Sequence, residues 1–332
     1  MLTPTNFFHL SPREAGLLTV AAGVVGLVIG KLLAVWTNRL CDSPARPREA
    51  ISISVATAIL FAASVFFIVG LEGQRVTEVK PDDFWRYGRL ASHLILVSLL
   101  IAATATDLRE YIIPDQITYF GTLVGVVLAT ASGDTQLIHF WVDWNHPFAH
   151  VIGQDIPKWI GQHPHWHGLV WSLAGACAGA GITWLARAIS SLVLGQEAMG
   201  LGDVTLMAMI GSFLGWQPML LVFAFAPFCG IVVGVTVKSI LNRPYVPYGP
   251  YLGAAALVVM LCWKWIWQWE PTATVSIRRL FGDLPSLGIL TGTSLVLLVA
   301  LLAAVRWWRV GPMPEARSQE REHNNFPNST GR

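Results

Sequence analysis

The sequence predicts an all-α, polytopic membrane protein, a bundle of about eight or nine spanning helices. Hydrophobic residues make up 54% of the 332-residue chain and charged residues 13%, and the mean hydropathy of +0.54 lies above what a water-soluble domain of this size shows. The apolar residues also fall into runs close to the roughly 20 residues a helix needs to cross a bilayer. The charges, with a net of +2, sit in short clusters between those runs and form no basic face, so no nucleic-acid partner is expected.

Taken in order, residues 1–88 hold two spans, 15–36 and 51–71, with a short connection between them. Met1 to Glu14 lacks the basic start of a cleavable signal peptide, so the first run is read as a retained span. Residues 89–255 form the next unit, with runs at 89–106, 117–131, 168–189, 204–215 and 218–238 and the start of another at 251–269. The run 204–215, with Gly215, Gln217 and Pro218 behind it, is too short to cross alone and reads as a broken or tilted helix inside the bundle. An insertion at 132–167, rich in His, Trp and Pro, interrupts this unit. Residues 256–310 add C-terminal membrane helices, the last at 286–307, and 311–332 form a polar, disordered cytoplasmic tail.

The distribution of Lys and Arg places the N-terminus and the 132–167 loop outside. Asp107, Glu110, Asp115 and Asp203 then all lie at cytoplasmic helix ends. Gly26 and Gly30, Gly175 and Gly179, and Gly230 and Gly234 are spaced for close helix packing. Cys41, Cys177, Cys229 and Cys262 have no CxxC spacing and read as small packing residues. The histidines at 139, 146, 150, 163, 165 and 167 have no acidic or Cys companions at ligand spacing, so no metal is assigned. The tryptophans at 141, 144, 159, 166 and 171, and again at 263, 265, 267 and 269, read as interfacial anchors. Lys31 reads as snorkelling and His93 as hydrogen-bonded within the bundle.

A carboxylate at a membrane helix end is costly unless solvated, paired or used, which singles out two contexts. In Ala105-Thr106-Asp107-Leu108-Arg109-Glu110-Tyr111-Ile112-Ile113-Pro114-Asp115, one apolar helix ends at Asp107. Pro114 then breaks the chain, and Asp115 is expected to cap a helix that starts at Gln116. In Gly200-Leu201-Gly202-Asp203-Val204-Thr205-Leu206, an Asp again stands at a loop–helix boundary, and Gly200 and Gly202 leave room for another backbone to approach it. Two such carboxyls sharing one proton can hydrolyse a peptide bond: the ionised one activates water, the protonated one donates to the carbonyl oxygen. This chemistry needs no cofactor, and the sequence does not say which Asp is base and which acid.

The stretch Asp107 to Asp115 resembles the D-x6-P-D motif, and Gly200 to Leu206 the GxGDxKL motif, of the type IV prepilin peptidase (leader peptidase) family of GxGD-type membrane aspartyl proteases. Residues 195–216 around the second Asp and Val246-Pro247-Tyr248-Gly249-Pro250-Tyr251 are similar to further stretches of that family, so the resemblance covers roughly residues 89–255. It implies a GxGD-type bundle, catalytic Asp107 and Asp203, and a prepilin or pseudopilin precursor as partner. By the same resemblance, the precursor's cytoplasmic leader is expected to be cut at the face of a bacterial inner membrane, in type IV pilus or type II secretion systems. Arg109 and Glu110 are expected to steer that leader, with Pro114, Asp115, Gly200, Gly202 and Thr205 in supporting positions.

The sequence also departs from the family. Thr205 stands where a Lys is usual. The connection from Thr37 to Ala50 has Cys41 alone in place of the two CxxC pairs that bind zinc in bacterial members, which sets methyltransferase activity in doubt. The alternative is a catalytically silent relative, or a transporter that binds a proton or cation with the same two carboxylates.

Overall fold

The computed structural model describes residues 11–46, 48–79, 83–142, 156–195, 199–241, 247–271 and 276–282, and part of 285–296. Among these residues the chain is all-α. The helices are α1 (Pro12–Leu40), α2 (Glu49–Val65, continued by a π-helical turn Phe66–Gly70), α3 (Asp83–Glu110), α4 (Asp115–Ser132), α5 (Lys158–Gln162), α6 (Pro164–Leu194), α7 (Leu201–Leu214), α8 (Trp216–Leu241), α9 (Gly249–Leu261), α10 (Trp263–Trp267) and α11 (Ile277–Phe281). Four segments are long and apolar enough to cross a membrane: Pro12–Leu40, Glu49–Gly70, Phe84–Glu110 and Pro164–Val193. Leu201–Leu214, Trp216–Gly230 and Gly249–Leu261 are shorter apolar helices. The expected span 286–307 is described only in part, and the tail 311–332 lies outside the described residues.

Local sequence explains the first boundary. The Ser11 hydroxyl accepts the Glu14 N–H at 3.3 Å and the Glu14 carboxylate accepts the Ser11 N–H at 2.7 Å, a reciprocal cap with Pro12 in the first turn. α1 then lies against α2 at very short range. A Cβ on Gly26 would sit 2.7 Å from the Ala58 Cα, and one on Gly30 would sit 2.5 Å from the Ser54 Cα, so no larger residue fits the crossing. α6 crosses α7 the same way, with Gly175 and Gly211 meeting backbone to backbone and the Ser172 hydroxyl donating to the Ser212 carbonyl at 2.7 Å.

The short run expected at 204–215 is α7, and its place explains its length. Met207, Met209, Ile210 and Leu214 have no exposed surface, because α3, α4, α6, α8 and α9 surround the helix. Protein on every side satisfies a helix that does not need to match the bilayer thickness.

Several boundaries and roles differ from the sequence-based expectation. The run 251–269 is not one helix: it breaks at Cys262 into α9 and α10. Trp263 and Trp267 are core residues and not interfacial anchors. They stack with centroids 5.0 Å apart, and their indole N–H groups donate to the Leu137 carbonyl (3.1 Å) and the Glu78 carboxylate (2.9 Å). Trp171 is buried over Gly215, whereas Trp265, Trp269 and Trp166 are exposed. The expected outside loop is shorter, since α6 begins at Pro164 and takes in His165 and His167. His139 pairs with the Glu78 carbonyl at 3.0 Å, and His167 accepts the Phe140 N–H at 3.0 Å. His146 and His150 lie outside the described residues. Within α3, His93 is buried and bonded to the Gln74 amide at 3.0 Å.

Candidate active site

Asp107 stands in the last turn of α3 and Asp203 in the first turn of α7. Both carboxylates are buried, at 4% and 8% exposure, and both line one cavity of about 310 Å³. Its other walls come from Tyr111, Ile112 and Ile113 after α3, Met199 to Gly202 before and in α7, and Pro247 and Tyr248 ahead of α9. Tyr111, Ile112 and Leu201 are 50–63% exposed, so the cavity has an apolar border.

Each aspartate is held by a backbone N–H. The Gly249 N–H donates to Asp107 Oδ2 at 3.1 Å, and the Gly200 N–H donates to Asp203 Oδ2 at 3.2 Å. Donors of this kind fix a carboxylate's direction at no side-chain entropy. Gly249 is there by necessity, because a Cβ at that position would run into the Asp107 carboxylate. Tyr248 lines the cavity, and burial and then the charge of Asp203 push its phenol up to about 12.

The two motif glycines do different jobs. A Cβ on Gly200 would meet Asp203 Oδ2 at an ordinary contact distance of 3.7 Å, whereas one on Gly202 would stand 3.2 Å from the Ile113 Cβ, so Gly202 serves the contact between α7 and the segment after α3. Thr205 donates to the Gly202 carbonyl at 3.1 Å, three residues back in its own helix. Asp115 is not a cap. Pro114 is the extended N-cap residue, with φ −63° and ψ 133°, and α4 starts at Asp115 with no capping bond from a side chain. The chain turns out of α3 at Tyr111, whose φ of 60° is left-handed, three residues before the proline.

Arg109 and Glu110 do not line this cavity. Arg109 is paired to the Glu49 carboxylate and bonded to Asn38 at 2.8 Å, and Glu110 accepts both the Ser43 N–H (2.8 Å) and hydroxyl (2.7 Å). They tie the end of α3 to α1, α2 and the connection between them. The residues that sequence reasoning left without a role are Tyr248 and Gly249. Their signal was the Pro/Gly-rich segment ahead of α9, but nothing local says that its N–H reaches a carboxylate 142 positions away.

No group of three or more His, Cys, Asp or Glu among the described residues is placed to hold a metal ion, and the four cysteines are free.

Comparison with known proteins finds similarity around one of the two aspartates. Residues 158–235, which include Asp203 and not Asp107, match the model of the type IV leader peptidase family. The chain is 27% identical over 186 residues to a prepilin leader peptidase/N-methyltransferase of Aeromonas salmonicida, covering 55% of this chain and 53% of that protein. It is 34% identical over 110 residues to the protein of that name from Pseudomonas aeruginosa, covering 31% and 38% of the two chains. A Myxococcus xanthus protein of that name is 30% identical over 151 residues, covering 46% and 35%. The chain thus spans about half the length, or less, of these curated relatives. No solved structure matches it. Residues 158–235, which hold the buried Asp203 and its glycines, are thus the part of this chain that is similar to the type IV leader peptidase family.

Proposed function

We propose that the protein is an aspartic endopeptidase of the bacterial inner membrane that removes the leader from prepilin or pseudopilin precursors at the cytoplasmic face. The observation that carries this reading is the placing of Asp107 and Asp203, from two helices 96 positions apart, on one cavity with an apolar border. The name that those relatives carry supports the choice of precursor. The second activity in that name is not part of the reading, because the connection between α1 and α2 offers Cys41 as its one cysteine.

In this mechanism the two carboxyls share one proton, since two charges on one buried cavity repel. The ionised carboxylate takes a proton from a water molecule, whose oxygen attacks the scissile carbonyl carbon. The protonated carboxyl donates to the carbonyl oxygen. Collapse of the tetrahedral intermediate breaks the C–N bond: the leaving amine takes up the proton the first carboxylate had accepted, and the second carboxylate takes back from the hydroxyl the proton it had given, which restores the shared proton. The Gly249 and Gly200 N–H groups keep both carboxyls in position through the cycle. Exposed Tyr111, Ile112 and Leu201 offer the precursor's apolar segment a surface beside the scissile bond.

The test is co-expression with a prepilin-like precursor, followed by gel and mass spectrometry. Shortening by the wild type that Asp107→Asn and Asp203→Asn each abolish, with both variants still in the membrane, is the expected result. Cleavage that survives both substitutions would sink the reading, and solute uptake lost in both variants without any cleavage would favour the transporter alternative.

A further inference from the structure

A second, larger cavity lies on the other side of α3. It has a volume of about 480 Å³ and runs between α2, α3 and α9, from Leu60 and Leu257 at one end to Arg46, Arg48 and Arg109 at the other. Its walls are apolar side chains such as Ile53, Leu100 and Ile101. α2 and α3 are long and apolar enough to cross a membrane and α9 is a shorter apolar helix, so the groove between them is a place that a lipid chain can enter.

The rim gives the occupant its charge. Glu49 is the one acid among the lining residues, and it is already paired with Arg109, whose side chain is 7% exposed. Arg109 Nη1 is shut off from solvent without a hydrogen-bond partner. Arg46 and Arg48 are exposed, and among the described residues neither forms an ion pair. Two uncompensated cations thus stand where the groove meets the membrane surface, and basic pockets between helices at that level suit anionic lipid headgroups. Size decides between lipid and protein. A helix is about 10–12 Å across and rises 5.4 Å per turn, so this volume holds roughly one turn of it, whereas an acyl chain threads its length.

We propose that this groove binds an anionic phospholipid, with an acyl chain between α2, α3 and α9 and the phosphate on Arg46 and Arg48. Leu108 and Pro250 line the groove, each next in sequence to a partner of the Asp107–Gly249 hydrogen bond, so the lipid packs directly behind the candidate active site.

The experiment uses the full chain in detergent and measures retained phospholipid by native mass spectrometry, comparing phosphatidylglycerol with phosphatidylcholine of identical chains. The wild type is expected to retain the anionic lipid preferentially. Arg46→Gln with Arg48→Gln should weaken that retention roughly 30-fold, the effect of losing two surface cations. Ala56→Trp, which fills the groove from α2 and leaves the rim intact, should reduce both lipids. As a measurement independent of variant folding, phosphatidylglycerol with a photoreactive acyl chain should crosslink the unmodified protein at α9 peptides containing Leu257. Equal retention of the two lipids, or crosslinks that avoid α2, α3 and α9, would overturn the proposal. So would variants that raise the KM for a precursor while lipid retention is unchanged, since the groove would then hold the precursor.

Discussion

Two buried carboxylates on one cavity make the sharpest expectations at the scale of single residues. Asp107→Asn and Asp203→Asn keep the shape and remove the proton chemistry, so each should lower the cleavage rate by roughly 100- to 10,000-fold, measured as the rate of precursor shortening. Gly249→Ala tests the cradle. Its methyl group must displace the Asp107 carboxylate or the start of α9, and a misplacement on the order of 1 Å should cost about 100-fold in kcat. Asp107 stood out in the sequence because a carboxylate at the end of an apolar helix demands a reason. Gly249 did not, because its role exists only once α9 has docked against α3.

At the scale of elements, the helix crossings and one ion pair carry the stability. Gly211→Val puts a branched side chain against the Gly175 carbonyl, and overpacking of this kind should destabilise the protein by about 1–3 kcal/mol, read as a lower Tm in detergent. Glu49→Ala leaves the Arg109 guanidinium buried without its carboxylate. Breaking one side of such a pair should cost about 3–5 kcal/mol, measured by the same melting experiment. The glycine pairs were legible as packing signals, but which helix each would meet was not. The tryptophans failed for a related reason: Trp at a span end reads as interfacial, and only the positions of Glu78 and Leu137 show that Trp267 and Trp263 have buried acceptors.

For the whole molecule, the charge distribution predicts that the α1–α2 connection lies in the cytoplasm and the segment after α10 outside. A fluorescent protein that matures only in the cytoplasm should light up when fused after Pro44 and stay dark after Trp269, while alkaline phosphatase should give the opposite pattern. The reverse pattern would place the cavity of Asp107 and Asp203 on the far face of the membrane, away from a cytoplasmic leader. The all-α membrane class, the short α7 and the two aspartates at helix boundaries all followed from the sequence, because hydropathy, helix length and the cost of a buried charge are properties of local stretches. Asp107 and Asp203 were expected to act as a pair, but the one cavity they line, the Gly249 donor 142 positions from its acceptor, and the groove between α2, α3 and α9 came only with the tertiary structure. They depend on which helix faces pack together, and that choice is made by steric fit among distant segments, which no local pattern encodes.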